Sequence, residues 1–402
     1  MVIGAGPAGC AAALGLRQAG LRVTLVEQSA RAPDRFCGEF LSGEAAEALR
    51  DLGGLETLYS LNPVRVRRMA LYSPGGSLYE MPLATEGFGV ARPRLDAALL
   101  DLVRDRGAEH LSGVKISSID GNSADGFVLR AQGGLELRSR AVIGAWGKRS
   151  SLDRMLGRSF LSKTTGFVGV KARFRGVACS ENVNLFSFRG GHCGLVSIEP
   201  DLATIGILAR QHTLREVGGK PRALIDYARE SNLALKAELD GCELVDGSLN
   251  TIAQVPLMRK EPVRKDVVFV GDCAGITAPF LGVGVTNAFR SGAVAAECLS
   301  EWLAQAAKPE QALDSYRSRW ALEIGQVQRW SFLLSRGLCS PAATGPAVGL
   351  LKMAPSMGRL LYRWSRPNGH AVPAPCVNGV SSPGSYSGPP ADPDGLERRR
   401  PL

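Results

Sequence analysis

Residues 1–28, MVIGAGPAGCAAALGLRQAGLRVTLVEQ, constrain the fold more than any other stretch. An apolar strand, Met1-Val2-Ile3, runs into Gly4-x-Gly6-x-x-Gly9. An Ala- and Leu-rich helix follows, then the strand Arg22–Val26, which ends on Glu27. Strand, glycines, helix, strand and terminal acid together form a βαβ unit with the dinucleotide fingerprint. Gly4 permits the tight turn, Gly6 lets backbone approach a pyrophosphate, and Gly9 lets helix and strand pack closely. The helix N-terminus presents free N–H groups and a partial positive charge to phosphates. Glu27 stands where a carboxylate accepts hydrogen bonds from both hydroxyls of an adenosine ribose. Pro7 and Ala8 on the turn and Gln28 beside the acid count with the cofactor-binding residues. A three-residue first strand is short against the usual five or so. It predicts either a clipped strand or a start a few residues upstream.

A second block answers the first. Asp266–Val270 is a continuous apolar strand that ends on Gly271-Asp272. A Gly-rich loop follows, Pro279-Phe280-Leu281-Gly282-Val283-Gly284, and then a helix from Val285 to Leu303. An acid at a strand end followed by a helix N-terminus is the geometry of a second cofactor contact. Asp272 would hold a ribityl hydroxyl. The amides of Gly282, Gly284 and Val285 would face the edge of a flavin ring where negative charge develops on reduction.

Between the two blocks, residues 64–90 read as short strands that leave for a second lobe. A helix is expected over Leu95–Arg106, stopped by Gly107, and Arg92 ahead of it reaches toward a phosphate or ribose. Strands are expected at Gly113–Ile116, Gly126–Arg130 and Arg140–Gly144, and the first brings the Val114 backbone near an adenine. Residues 166–209 alternate between Gly-rich turns, as an antiparallel sheet does. Helices are expected over 221–239 and 310–337. Ser42 is placed to cap a helix over Glu44–Leu52. Residues 341–364 are apolar but broken by Gly and Pro, too interrupted to span a bilayer. They are expected to pack over the second lobe rather than touch a membrane surface. From 366 on, Pro, Gly and Ser dominate, which predicts a disordered tail.

Composition excludes more than it selects. A hydrophobic content of 45% and charged content of 21% suit a globular chain of two lobes. The net charge of +10 is scattered and has no basic run before Arg398, so nucleic acid is not an expected partner. Nine cysteines show no metal spacing. No metal site is expected, and reduced thiols point to the cytoplasm. No apolar run reaches the roughly 18 residues of a membrane span.

The two glycine blocks and the Gly144-Ala145-Trp146-Gly147 turn between them resemble, in order, those of the FAD-dependent monooxygenase superfamily. That superfamily includes aromatic hydroxylases, geranylgeranyl reductases and flavin-dependent halogenases. The stretch Cys37-Gly38-Glu39 is most similar to the geranylgeranyl reductase-like branch. The resemblance covers about residues 1–300. It implies FAD as cofactor, with NAD(P)H a possible electron donor. The implied fold is α/β: a Rossmann-like, glutathione-reductase-like FAD-binding domain with an inserted antiparallel β-sheet substrate domain and C-terminal helices. The FAD-binding domain would take 1–63, 90–155 and 256–305, the substrate domain 64–89 and 156–255, the helices 306–365, and the tail 366–402. It also places the connection after Glu27 over the flavin. There Arg35 and Cys37 become cofactor contacts, and Glu39 a neighbour of the ring or ribityl chain, although Cys37 equally suits a small packing position.

Two departures stand out. Trp146 occupies a position where hydroxylases carry Asp, which weakens the case for nicotinamide use in the hydroxylase manner. Val283 replaces a more polar loop residue. The halogenase Trp-x-Trp-x-Ile-Pro motif does not occur, which argues against halogenation. Phe188, Phe280 and Leu281 would wall an apolar pocket, with His192 in a pocket strand. His192 and Cys37 are the candidate catalytic groups, although a surface turn suits His192 somewhat better. The expected activity is a monooxygenase acting on a hydrophobic or aromatic metabolite such as an isoprenoid or polyketide. An alkene reductase, a nicotinamide dehydrogenase without flavin and a non-catalytic flavin-fold binding protein are the competing readings.

Overall fold

A computed structural model describes residues 1–366. The tail expected from 366 on lies, past Arg366 itself, outside the described residues.

Short apolar strands build a six-stranded sheet at the N-terminal block. Its order is Val263–Arg264, Val267–Phe269, Ile143–Gly144, Val2–Ile3, Thr24–Glu27 and Glu109–Ser112. All pairs are parallel except the first, a hairpin. Val2 stands opposite both Leu25 and Ile143, so the first strand is central despite its length. Such strands are buried on both faces, and Val2, Leu25, Ile143, Val268 and Phe269 are all sealed from solvent. The helix Pro7–Gln18 packs on the long helix Gly284–Leu303 at very short range. A Cβ on Gly292 would lie 2.6 Å from the Ala8 carbonyl oxygen, and one on Gly15 would lie 2.7 Å from Ala296 Cβ. A three-stranded sheet, Ile116–Asn122, Gly126–Ala131 and Glu136–Ser139, adds Ile116, Ile119, Phe127 and Leu129 to the same core.

The second sheet has nine strands. Val64–Tyr72 pairs in parallel with Asn182–Phe188, so it joins the 64–89 excursion to the antiparallel strands of 167–210. Its two faces separate by period two. Phe186, Phe188, Cys193 and Ile207 point outward under the helices Pro221–Glu230 and Leu233–Glu238. Val183, Leu185, His192 and Val196 point to the other face, toward the first domain. The C-terminal helices Gly325–Leu338, Pro341–Met353 and Pro355–Trp364 close over the edge of this second face, where Val348 and Tyr362 meet Leu71, Tyr79 and Leu185.

Three local expectations shift. The strand expected at Gly113–Ile116 starts at Ile116 instead, because Gly113 turns at φ +72°. The helix expected from Leu95 begins three residues earlier, at Arg92, with Pro93 in its first turn. Ser42 stands at the N-cap position, but its hydroxyl bonds Thr286 Oγ1 at 2.7 Å rather than a helix amide. It fastens one helix start to another.

Candidate active site

Between the two sheets lies a cavity of about 850 Å³. Its first wall is the glycine fingerprint. Gly4 leaves the strand at φ +109°, where a Cβ would lie 2.4 Å from the Ala145 carbonyl oxygen. A Cβ on Gly9 would fall 1.8 Å from the Gly4 oxygen. Gly9 therefore packs helix on turn and does not line the cavity. Gly6 is different, because a Cβ there meets no atom within 4 Å. It would project into open space beside the helix start, and no side chain caps that helix. Gly4, Gly6, Pro7 and Ala8 all line the cavity.

Glu27, Gln28, Arg35 and Val114 line the same end. Glu27 Oε2 accepts the Ala5 amide at 2.8 Å, and Oε1 accepts the Ser29 amide at 3.0 Å. Each oxygen keeps a lone pair for a ribose hydroxyl. Arg35 Nη2 is 3.8 Å from Glu27 Oε1.

At the second block, Asp272, Gly282, Gly284 and Val285 line the cavity, whereas Gly271 does not. Gly271 turns at φ +58° with its Cβ position 2.7 Å from Ala8 Cβ, so it lets the two cofactor loops touch. The long helix begins at Gly284 without a side-chain cap, and its first amides are free for a ligand. Two lysines with no assigned role in the sequence reading organise this end. Lys148 Nζ lies 3.1 Å from Asp272 Oδ2. Lys260 is buried and donates to the backbone oxygens of Lys148 at 2.6 Å and Asp272 at 2.8 Å. Burial lowers its pKa to about 8. No motif marks Lys260, because its role comes from where a separate chain segment returns.

Trp146 also lines the cavity. Its Nε1 donates to Asp153 Oδ1 at 3.2 Å, and Asp153 is itself buried against Arg158 at 2.9 Å.

The connection after Glu27 passes over the cavity, and Arg35, Phe36, Cys37 and Gly38 form part of its wall. Glu39 does not. Its backbone sits at φ 59°, and the side chain turns away into a buried ionic cluster. Lys171 Nζ donates to it at 2.9 Å, Arg173 Nη2 at 2.7 Å and the Arg92 amide at 2.8 Å. Burial raises the Glu39 pKa, but Arg173, Lys171 and Thr204 outweigh it and hold the carboxyl below its ordinary value. The expected contact of Glu39 with a flavin is replaced by this structural role. Arg92 lines the cavity but is not free. Its guanidinium forks onto Asp96 through two bonds of 2.9 Å. Burial works against its charge, and Asp96 and Cys37 raise its pKa above the ordinary arginine value.

At the far end Phe280 and Leu281 line the cavity with His192. Phe188, expected beside them, does not. It shares a strand face with Phe186, and its ring lies edge-on to Tyr227 in the outer core, 6.0 Å between centroids. The apolar wall comes instead from Met69, Leu83, Val183, Leu185 and Val196. Strand alternation carried that information, since His192 and Val196 share a parity and Leu185 and Phe188 do not. His192 is not a surface turn residue. It is 3% exposed, and burial lowers its pKa to about 4. Nδ1 lies 3.9 Å from Cys339 Sγ, the ring is edge-on to Phe280, and Nε2 has no hydrogen-bond partner.

The residues fit FAD. Gly6 leaves room for a pyrophosphate, two uncapped helix starts converge on one cavity, and Glu27 and Asp272 offer carboxylates in its wall. When bound, FAD would supply the redox chemistry that the side chains lack. No group of metal-ligating side chains occurs among the described residues.

This combination of parallel sheet, paired cofactor loops and facing β-sheet defines a flavin-dependent oxidoreductase. The chain belongs to the FAD binding domain family, whose model matches residues 1–331. It is 27% identical to the menaquinone reductase of Mycolicibacterium smegmatis, over 84% of this chain and 83% of that one. It is 25% identical to the 6-methylpretetramide 4-monooxygenase of Streptomyces rimosus, over 90% of each chain. A solved flavin-dependent brominase shares the fold at TM-score 0.76 and 20% identity, covering 90% of this chain and 92% of that one.

Proposed function

We propose that the protein is a monooxygenase that inserts one oxygen atom into a lipophilic aromatic or polyene substrate bearing a hydroxyl or carbonyl group. One observation carries this reading: the buried, neutral imidazole of His192, whose Nε2 has no hydrogen-bond partner, in a cavity wall shared with Phe280, Leu185 and Val196. A buried polar atom without a partner is costly unless the ligand supplies one. Neutral imidazole offers one N–H and one lone pair, which suits a phenol or ketone oxygen on an apolar body. The likeness to the 6-methylpretetramide 4-monooxygenase over nine-tenths of both chains supports a monooxygenase.

In this reading Gly6 and the two helix starts bind the cofactor, and Asp272 with Lys148 orients its ribityl end. Phe280, Leu281, Leu185 and Val196 exclude water from the reacting face. His192 Nε2 holds the substrate oxygen and fixes which carbon is presented. Insertion of one oxygen atom also needs two electrons from an outside reductant, for which NAD(P)H is the candidate.

A second reading, reduction of a carbon–carbon double bond, rests on the Cys37 thiol in the cavity wall beside Arg92. A thiol there is a proton source for the carbon that does not receive hydride. The relative named as a menaquinone reductase supports it. The two readings separate by product. The flavin-loaded protein is reduced without oxygen and offered polycyclic phenols and polyprenyl compounds, in air and under argon. Gain of one oxygen atom, only in air, is expected. Gain of two hydrogens under argon would replace that reading by the second. Failure of the purified chain to hold any flavin would remove both.

A further inference from the structure

The three C-terminal helices turn an unusual face outward. Of the eleven large apolar side chains exposed among the described residues, seven lie between Leu322 and Trp364. Trp330 and Leu333 share the outer stripe of Gly325–Leu338 with Arg329. Leu350 and Met353 share that of Pro341–Met353 with Lys352. Leu360 and Trp364 share that of Pro355–Trp364 with Arg359 and Arg363. Met353 is 86% exposed. The stripes adjoin, since the rings of Trp330 and Trp364 stack with centroids 6.0 Å apart.

The charge on this face is one-sided. No Asp or Glu occurs between Glu323 and Asp392. Elsewhere carboxylates are interspersed with the arginines and pair with some of them, as Glu86, Glu181 and Glu80 do with Arg65, Arg67 and Arg68. Among the described residues, the one ion pair from Gly325 on is that of Arg366 with Glu44. None of the four exposed cations pairs with a carboxylate of the described residues. The inner faces are meanwhile committed, with Val327 against Leu281 and Tyr362 against Leu71 and Met81.

Exposed apolar side chains that include two tryptophans, with Lys and Arg and no carboxylate among them, make the pattern of an interfacial helix surface. No helix among the described residues is long and apolar enough to cross a bilayer. We propose that this face docks the protein onto an anionic lipid surface, lying in the headgroup plane. Trp330, Met353 and Trp364 would enter the acyl boundary while Arg329, Lys352, Arg359 and Arg363 meet lipid phosphates. The same helices abut the cavity, for Phe280 packs against their cluster and Arg366 lines the wall. Docking therefore sets the lipid surface close to the apolar end of the site. The proposal does not depend on which reaction the cavity performs.

The test is flotation of the flavin-loaded full chain with vesicles of phosphatidylcholine alone, or with roughly one-third phosphatidylglycerol. Binding to the anionic vesicles is expected to exceed that to neutral ones about tenfold or more, and to weaken in high salt. Two variants, Trp330→Ser/Trp364→Ser and Arg359→Glu/Arg363→Glu, are each expected to lose it while keeping bound flavin. The charge variant touches only exposed side chains, so it serves if the tryptophan variant does not fold. No flotation of the full chain, or flotation equal in the charge variant, would overturn the proposal. So would a dimer that the charge variant dissociates in a protein that ignores vesicles, because a second copy would then cover the face.

Discussion

His192 would hold the substrate oxygen in the proposed reading, and its burial makes two separable predictions. Its pKa is lowered by burial to about 4 from an ordinary 6.5. The unfolded chain therefore takes up a proton as pH falls through 6.5, and the folded chain does so only near 4. Stability declines across that window and has lost about 3 kcal/mol at its lower end. Thermal melts between neutral pH and pH 4 should show this decline, and His192→Phe should remove it. Glu39 acts lower on the scale. Its pKa is held below 4.5, so its contribution is intact above 4.5 and is lost as pH falls through its folded value. A decline retained unchanged in His192→Phe would place the titration elsewhere. The second prediction concerns turnover. With its hydrogen-bond partner gone, kcat/KM of His192→Phe should fall by roughly 10–100-fold, about 1.5–3 kcal/mol. Flavin affinity should not change, and His192→Gln should restore part of the loss.

Two glycines of the first turn that look equivalent in sequence have different tasks in the assembled elements. Gly6 borders open cavity, whereas a Cβ on Gly9 would collide with backbone oxygen. Gly6 has φ −76°, a value any residue adopts. Gly6→Val should therefore fold with a near-native melt and lose bound FAD, seen as missing flavin absorbance after purification. Gly9→Val should fail to fold. Loss of fold in both, or retention of flavin in Gly6→Val, would contradict the assignment. This distinction marks how far the sequence could be read. Spacing alone identified the βαβ unit, the acid at its end and the second cofactor loop, because those features are local. Strand parity would have turned Phe188 outward, but it requires knowing which face of the sheet is covered, and the helices over 221–238 decide that. Lys260, and the turn of Glu39 away from the cavity, were not legible. Each depends on segments more than a hundred residues apart meeting, as when Lys171 and Arg173 reach Glu39 or Lys260 reaches the oxygen of Lys148.

That cluster around Glu39 joins the two sheets into one working molecule. Asp34 and Glu39 belong to the connection that walls the cavity, and Lys171, Arg173 and Thr204 belong to the facing sheet. The Arg92 amide ties in the start of a helix of the first domain. A buried charge cluster of this kind is a costly way to gain stability, since desolvation offsets much of the attraction. Its use is to fix one geometry. Glu39 pays for part of that with a left-handed backbone that a residue other than glycine or asparagine rarely adopts. Glu39→Gln keeps the shape but leaves Lys171 fully buried with only the half-exposed Asp34 as its counter-ion. Removing one partner of a buried pair costs about 3–5 kcal/mol, so the melting temperature should drop by many degrees. The informative measurement is made below that melt. If the cluster sets the Cys37–Gly38 wall against the cofactor, the folded variant should release FAD faster and transfer electrons to substrate more slowly. Binding of an adenosine diphosphate fragment should be unchanged, because Gly6 and Glu27 lie at the other end. Equal weakening of fragment and whole cofactor would mean that the cluster supports only the fold, and not the site between the sheets.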